Sequence, residues 1–245
     1  MYDKFSKIYR LNDLQHLISY VIEKNKTQAD LIKYIKARHK GLPIAYVLNS
    51  SYFLGREMEV DRSCLIPRSR TESLVLAILK QPSWISNRFK ILDLCCGSGN
   101  IGISLAIERP LWDITGVDIN RASLEVAKRN SQRYNLTNIR FVLNNGLHYM
   151  TGHYDLIVSN PPYLRTLDDL HYSVQYEPYV SLFSGPDGLD HTRHILNKAP
   201  YYGRFLALEH TAVNYLDFWS LVSGSRYRVL CSKNFMDNRH MIMSL

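Results

Sequence analysis

Residues 91–102 read Ile-Leu-Asp-Leu-Cys-Cys-Gly-Ser-Gly-Asn-Ile-Gly. An apolar run that enters a glycine-rich turn and then an apolar helical pattern is typical of a parallel strand joined to a helix by a ligand-binding loop. Gly97, Gly99 and Gly102 match the Gly-x-Gly-x-x-Gly pattern of dinucleotide-binding proteins. That pattern alone is a weak signal, so the residues around it must identify the ligand.

Strand and helix patterns alternate on both sides of this loop. We predict strands at 90–94, 113–118, 139–143, 154–159, 203–209, 227–231 and 239–243, and helices at 100–108, 122–134, 190–198 and 211–222. Such alternation predicts an α/β fold with a Rossmann-like, largely parallel seven-stranded sheet, whose ligands bind beyond the carboxyl ends of the strands.

The chain before this sheet has a different pattern. Residues 1–42 predict a small helical region of two short amphipathic helices, the second opened by a capping box at Thr27–Asp30. Residues 43–68 predict a linking β-hairpin from short β-rich runs at 45–48, 52–54 and 58–60. The main domain then occupies 69–245 and opens with a helix over 71–80, for which Ser69 to Glu72 form an expected capping box.

Composition narrows the class of protein. Thirty Lys and Arg against 22 Asp and Glu give a net charge of +8, which favours approach to RNA, ribosomes or an acidic protein but also serves solubility. No stretch has the length of a membrane span, and the N-terminus lacks the apolar run of a signal peptide. Cys64, Cys95, Cys96 and Cys231 form no recognisable disulfide framework. We therefore expect a cytoplasmic protein with reduced thiols and no membrane association.

Polar residues after successive strands suggest which ligand the loop binds. Asp93 would repel a pyrophosphate, but it suits the ammonium group of S-adenosylmethionine, a cofactor without phosphates. Asp118 is placed to accept hydrogen bonds from both ribose hydroxyls, or alternatively to cap the following helix. Asn145-Gly146, after the third strand, lies where an adenine amino group is expected. Asp93 therefore favours S-adenosylmethionine over a dinucleotide, whereas both classes of cofactor use the Asp118 contact.

Other reactive side chains are given no catalytic role. Cys95 and Cys96 are expected to be turn residues whose backbone faces the cofactor, because neither has an obvious base nearby in the sequence. His191 and His194 have helical i, i+3 spacing but no third ligand, so we expect no metal site.

The strand at 154–159 runs directly into Asn160-Pro161-Pro162-Tyr163. The two prolines remove two backbone donors and stiffen the turn. If the Asn160 side-chain oxygen and the Pro161 carbonyl accept the two N–H hydrogens of a planar amide or amine, its nitrogen lone pair is directed at a methyl group, while the Tyr163 ring stacks on the planar group. This tetrad predicts methyl transfer by positioning and electrostatic stabilisation, without a general base.

The chain resembles the HemK family of protein-(glutamine-N5) methyltransferases. The matching segments occur in the family's order and are Gly41-Leu42-Pro43-Ile44-Ala45-Tyr46, Leu65-Ile66-Pro67-Arg68, Thr71-Glu72, Asn160-Pro161-Pro162-Tyr163, Tyr176-Glu177-Pro178, Gly185-Pro186-Asp187-Gly188-Leu189 and Asp237-Asn238-Arg239. The resemblance implies the class I S-adenosylmethionine-dependent methyltransferase fold. It also implies a glutamine side chain as the methyl acceptor, most simply in the Gly-Gly-Gln motif of peptide chain release factors.

By this resemblance, the cofactor would contact Cys95, Cys96, Gly97, Ser98, Gly99, Asp118, Asn145, Gly146 and Asn160, in addition to Asp93. Residues 160–163 would hold the glutamine, Arg68 and Glu72 would border the substrate entrance, and residues 1–42 would help to dock the protein substrate. For Arg68 and Glu72, a surface cation and a capping-box acid are the alternatives.

Two other substrates remain open. Ser69 and the sequence at 95–99 resemble a related branch of the family that acts on a ribosomal protein. A nucleic-acid adenine or cytosine amino-methyltransferase would use the same tetrad, although it requires base flipping and the chain has no recognisable target-recognition domain. Direct nucleic-acid binding is therefore open but not required. A noncatalytic binding module that retains the fold is the third alternative.

Overall fold

A computed structural model describes residues 2–84, 88–147, 151–166, 174–210, 215–235 and 238–245. The helices are α1 (Tyr2–Glu23), α2 (Gln28–His39), α3 (Ile44–Leu48), α4 (Ser69–Leu79), α5 (Asn100–Glu108), α6 (Arg121–Arg133), α7 (Asp190–Lys198) and α8 (Tyr215–Ser223). The strands are β1 (Ser50–Phe53), β2 (Arg56–Glu59), β3 (Lys90–Leu94), β4 (Asp113–Asp118), β5 (Ile139–Leu143), β6 (Tyr154–Ser159), β7 (Gly203–Glu209), β8 (Arg228–Phe235) and β9 (Asn238–Ser244).

The predicted seven-stranded sheet is confirmed. Its strand order is β5-β4-β3-β6-β7-β9-β8, and β9 runs antiparallel to both of its neighbours while the other pairs are parallel. The predicted helix over 211–222 corresponds to α8, but its residues 211–214 lie outside the described residues, as does Asp237 of the C-terminal segment.

Different helices cover the two faces of the sheet, because successive strand residues point to opposite sides. Ile91 of β3 packs in a cluster with residues of α4 and α5, whereas Leu92 packs in a cluster with residues of α7 and α8. Both clusters are built from buried apolar side chains, so the sheet is sandwiched as a doubly wound fold requires. Within the described part of the chain, no helix is long and apolar enough to cross a membrane.

The N-terminal helices pack on the hairpin side of the molecule. Leu17 of α1 is 1% exposed and contacts the cluster that contains Val47 and Leu48 of α3. The capping box that opens α2 is confirmed, since Thr27 and Asp30 exchange hydrogen bonds between side chain and backbone. Helix α1 starts earlier than predicted, at Tyr2.

The strand predicted over 45–48 is wrong, because these residues belong to helix α3. All four are buried, and a short run that is apolar throughout looks the same in a buried helix and a buried strand. The helix begins after Pro43 and ends at Asn49, which adopts a left-handed conformation with φ of 51°. The hairpin itself is formed by the antiparallel strands β1 and β2.

The capping box expected at Ser69 is also wrong. Helix α4 begins at Ser69, with Arg68 at the N-cap and no side-chain cap. Glu72 instead accepts a hydrogen bond from the backbone N–H of Leu54 at 2.8 Å, in the turn between β1 and β2. The carboxylate therefore ties the hairpin to α4.

Candidate active site

The sequence-predicted site residues gather at one edge of the sheet. Strand order reverses between the neighbouring strands β3 and β6, since β3 leads outward to β4 and β5 while β6 leads to β7. A crevice opens at such a reversal beyond the carboxyl ends of the strands. The loop at 95–99 follows β3 and the tetrad at 160–163 follows β6, so both border this crevice.

The loop after β3 folds through three left-handed residues. Cys95, Gly97 and Gly99 have φ angles of 59°, 53° and 81°. A Cβ atom on Gly97 would meet no atom within 4 Å, whereas one on Gly99 would lie 2.9 Å from Ile103 Cδ1. Gly99 therefore permits close packing of loop and helix, and Gly97 faces open space in which a ligand can approach the backbone.

Asp118 supports this loop from the end of β4. Its Oδ2 accepts from the backbone N–H of Gly97 and its Oδ1 from that of Asn120, both at 2.9 Å. The alternative role of Asp118 as N-cap is wrong, because Asn120 caps α6 and accepts from Ala122. Burial raises the pKa of Asp118, while its backbone donors oppose that effect. Each oxygen retains a lone pair for a further donor.

Asp93 lies behind the loop. It is 0% exposed, and its Oδ2 accepts from the backbone N–H of Gly102 in α5 at 2.8 Å. Oδ1 is buried and has no hydrogen-bond partner among the residues that the structure describes. Burial raises the pKa of Asp93 to about 7. An ammonium group can reach Oδ1 only when this oxygen is exposed. The ammonium contact of Asp93 therefore stays a prediction.

The two loop cysteines have raised pKa values. Burial raises the pKa of Cys95 to about 12 and also raises the pKa of Cys96 well above its ordinary range. Both thiols are therefore protonated at neutral pH, which does not suit a nucleophile. All four cysteines of the chain are free. Ser98 is fully buried, so the contact of this residue with a ligand stays a prediction.

Asn145 and Gly146 follow β5 at the same edge of the sheet. Asn145 is exposed, and Gly146 has a φ of 60°. The preceding Asn144 donates its backbone N–H to the carbonyl of Asp118 at 3.1 Å. This bond joins the end of β5 to the end of β4, so the predicted ribose and adenine positions are adjacent.

Asn160 is held by a residue that the sequence did not single out for this role. Its Nδ2 donates to the hydroxyl oxygen of Thr71, which is buried in α4, at 3.0 Å. The amide nitrogen is thus turned toward the helix, and Oδ1 is left to accept hydrogen bonds from other donors. This is the orientation that the predicted contact between Asn160 and a methyl-accepting amide requires.

The other three residues of the tetrad are held by packing and by a backbone hydrogen bond. Pro161 and Pro162 are buried, and the backbone N–H of Tyr163 donates to the carbonyl of Leu182 at 3.2 Å. Burial raises the pKa of Tyr163 to about 12. The phenol therefore stays protonated at neutral pH, and its ring remains suited to stacking.

Two further carboxylates belong to this region and were given no role in the site by the sequence analysis. Glu177 is buried and accepts from the backbone N–H of Ile66 at 3.2 Å and from the Arg68 guanidinium. Arg68 is therefore an ion-pair partner and not a free surface cation. Glu209 ends β7 and is 3% exposed. The sequence signal that could have identified Glu209 is the position of this carboxylate at the end of an apolar strand.

These residues fit S-adenosylmethionine. Gly97 leaves space beside a bare backbone, Asp118 retains acceptor capacity for a ribose, and Asp93 has a buried oxygen without a partner among the described residues. The sequence of the loop at 95–99 contains no Lys or Arg to bind a phosphate. The donors and acceptors therefore match an adenosine with a cationic tail better than a pyrophosphate.

Comparisons with known proteins agree with the predicted fold. Residues 71–176 match the Methyltransferase small domain family. The solved ribosomal protein L11 methylase from Lactobacillus delbrueckii subsp. bulgaricus superposes with a TM-score of 0.57 at 12% identity, covering 76% of this chain and 83% of that one. At this identity the likeness shows the fold alone.

Curated relatives are closer in sequence. The release factor glutamine methyltransferase of Coxiella burnetii is 34% identical over 211 residues, which cover 84% of this chain and 76% of the relative. The protein of the same name in Buchnera aphidicola subsp. Schizaphis graminum is 33% identical over 239 residues, which cover 95% and 85% of the two chains. This chain therefore belongs to the release factor glutamine methyltransferase family of S-adenosylmethionine-dependent enzymes.

Proposed function

We propose that this enzyme methylates the side-chain amide nitrogen of a glutamine in a translation protein, and that its substrate is the Gly-Gly-Gln motif of peptide chain release factors. The observation that carries the proposal is the orientation of Asn160, whose Nδ2 donates to Thr71 and whose Oδ1 is thereby available for an amide N–H. The names of the relatives point to a glutamine of a release factor.

An amide nitrogen is a poor nucleophile because its lone pair is delocalised into the carbonyl. Two acceptors that bind its two hydrogens hold the group in one pose and stabilise the positive charge that grows on nitrogen during attack. Asn160 Oδ1 and the Pro161 carbonyl are the proposed acceptors. Since Pro161 and Pro162 have no backbone N–H, no donor from these residues competes for the site.

S-adenosylmethionine supplies an electrophilic methyl group on a sulfonium when it is bound. The loop at 95–99, Asp118 and Asn145-Gly146 would bind its nucleoside, with Asp93 behind the loop. The raised pKa of Tyr163, about 12, keeps this phenol from acting as a base at neutral pH. Tyr163 is therefore assigned the stacking role, and turnover depends on positioning.

A basic groove along α2 is a candidate docking surface for the protein substrate. It has a volume of about 580 Å³ and is lined by Lys33, Lys36 and Lys40 of α2, by Arg62 and by Tyr176. Tyr176 precedes Glu177, which binds Arg68, one of the residues predicted to border the substrate entrance. Four cations in one groove favour an acidic segment of the partner.

We further propose the division of labour predicted from the sequence, with residues 1–42 docking the substrate, residues 43–68 linking and residues 69–245 catalysing, in the cytoplasm. The ribosomal-protein and nucleic-acid alternatives are decided by one competition experiment. The purified enzyme is incubated with a labelled methyl donor and equal amounts of a release factor, ribosomal proteins, RNA and DNA. Label on the release factor supports the proposal, and label confined to another component rejects it.

A further inference from the structure

The Asn160 side chain has two orientations that differ by exchange of its oxygen and nitrogen, and only one suits an amide substrate. With Oδ1 toward the substrate, Asn160 accepts a substrate N–H. With Nδ2 toward the substrate, two donors face each other and the substrate is repelled. Something must therefore fix the amide, and its described partner is the Thr71 hydroxyl at 3.0 Å.

Thr71 alone does not select the orientation, because a hydroxyl can donate as well as accept. It accepts from Asn160 Nδ2 in one orientation and would donate to Oδ1 in the other. The choice depends on where the single hydroxyl hydrogen of Thr71 goes. If a stronger acceptor takes that hydrogen, the hydroxyl can offer only lone pairs to Asn160.

Glu209 is placed to be that acceptor. Ser159 of β6 and Leu208 of β7 are register partners, so the next residues, Asn160 and Glu209, extend side by side from neighbouring parallel strands. The Glu209 carboxylate is buried, and neither oxygen has a partner of good hydrogen-bond geometry within the described ranges. The Thr71 hydroxyl is nonetheless close enough to lower the pKa of Glu209.

We propose that Glu209 is a positioning residue that acts through Thr71, taking the hydroxyl hydrogen so that Asn160 must turn its oxygen to the substrate. An ionised carboxylate only accepts hydrogen bonds. The two hydrogen bonds that link Asn160 to Thr71 and Thr71 to Glu209, the positioning chain, therefore have one fixed direction, with each donor pointing toward Glu209. The inference rests on the proposed role of Asn160 in binding the amide. Thr71 and Glu209 thus support Asn160 without contacting the substrate.

This direction depends on the charge of Glu209. A protonated Glu209 donates to Thr71, which frees the Thr71 hydrogen to point at Asn160 Oδ1 and permits the wrong orientation. Burial raises the pKa of Glu209 to about 7, while Thr71, Arg70 and Arg68 oppose that effect. Two other titratable groups lie near Glu209. Tyr163 interacts with Glu209 electrostatically, and His240 on β9 is the register partner of Glu209. Turnover should therefore fall as the pH drops below about 7.

Steady-state kinetics with a Gly-Gly-Gln peptide provide the first test. Thr71→Val keeps the shape of the side chain and removes the hydroxyl, and it should lower kcat by about 10²-fold with the affinity for S-adenosylmethionine unchanged. Thr71→Ser should restore most of the activity. Glu209→Gln, whose amide can donate to Thr71, should lower kcat and flatten the pH profile near neutrality. In an Asn160→Ala background, neither change should lower kcat further.

A second measurement does not depend on the substrate. The side-chain amide signals of Asn160 in ¹⁵N-labelled protein are identified by their loss in Asn160→Ala. They should shift with pH through a midpoint near that of Glu209, and the shift should vanish in Glu209→Gln and Thr71→Val. An inactive wild type with this titration intact would reject the proposed function but not the positioning chain. Wild-type kcat in Thr71→Val, or amide signals insensitive to Glu209→Gln, would overturn the chain.

Discussion

Gly102 donates its backbone N–H to Oδ2 of Asp93 at 2.8 Å, which joins the first turn of α5 to β3. A Cβ atom on Gly102 would lie 2.9 Å from the same oxygen and 3.0 Å from Ile139 Cδ1. The third glycine of the loop pattern therefore permits strand–helix packing, while Gly97 faces the open crevice.

This contact predicts that Gly102→Ala destabilises the protein. The added methyl group overpacks a buried site, which typically costs about 1–3 kcal/mol. Gly224→Ala is a matched control, because a Cβ there meets its nearest atom at an ordinary 3.5 Å. Chemical denaturation of both variants measures the difference, and equal stability of the two would contradict the packing role of Gly102.

The raised pKa of Asp93 predicts a pH-dependent stability. Because the pKa is about 7 in the folded protein and near 4 when unfolded, protonation favours the folded state. This contribution is fully present below about pH 4 and is lost as the pH rises toward about 7. Asp93→Asn should therefore be more stable than wild type at pH 8, and the two should be closer at pH 5. Denaturation curves without cofactor test this, and a constant difference between the proteins would refute it.

The same variant tests the proposed ammonium contact of Asp93. The asparagine side chain of Asp93→Asn retains an acceptor for the Gly102 N–H but cannot carry negative charge. If Oδ1 of Asp93 pairs with the ammonium of S-adenosylmethionine, Asp93→Asn should weaken binding by about tenfold or more, as expected for a buried charged hydrogen bond. Calorimetry measures the affinity. If Asp93→Asn binds S-adenosylmethionine as tightly as the wild type does, Asp93 only supports the loop.

Asp118 and Asp113 form a natural pair for testing the ribose contact, because they lie at opposite ends of β4. Asp118→Ala removes the acceptor of two backbone N–H groups and of the proposed ribose hydroxyls, so the dissociation constant of S-adenosylmethionine should rise by about tenfold or more. Asp113→Ala removes an exposed ion pair with Arg140 and should leave binding unchanged. Similar losses in both variants would contradict a specific role for Asp118.

The basic groove predicts a difference between large and small substrates. Lys36→Glu reverses a charge in the groove and should raise the KM for an intact release factor, more strongly at low salt, while the KM for a short Gly-Gly-Gln peptide stays the same. Lys198→Glu, an exposed substitution at the end of α7, is the control. A KM for the intact protein that is equal in wild type and Lys36→Glu would exclude the groove as the docking surface.

The sheet and its loops could be predicted because the apolar strands and the glycine turns are local signals. Residues 45–48 could not be assigned, since a short buried apolar run suits both a helix and a strand. The contact between Leu54 and Glu72 replaced an expected cap because tertiary structure supplied the carboxylate with a different donor. Thr71 and Glu209 were missed for a similar reason, because their relationship to Asn160 exists only once α4, β6 and β7 are assembled.

The most direct test of the account is tandem mass spectrometry of a peptide chain release factor after reaction with the purified enzyme and S-adenosylmethionine. One added methyl group is expected on the glutamine side chain of the Gly-Gly-Gln motif. Asn160→Ala should lower the rate of this modification by about 10²-fold or more. An unmodified glutamine with the wild-type enzyme, or an undiminished rate with Asn160→Ala, would contradict the account.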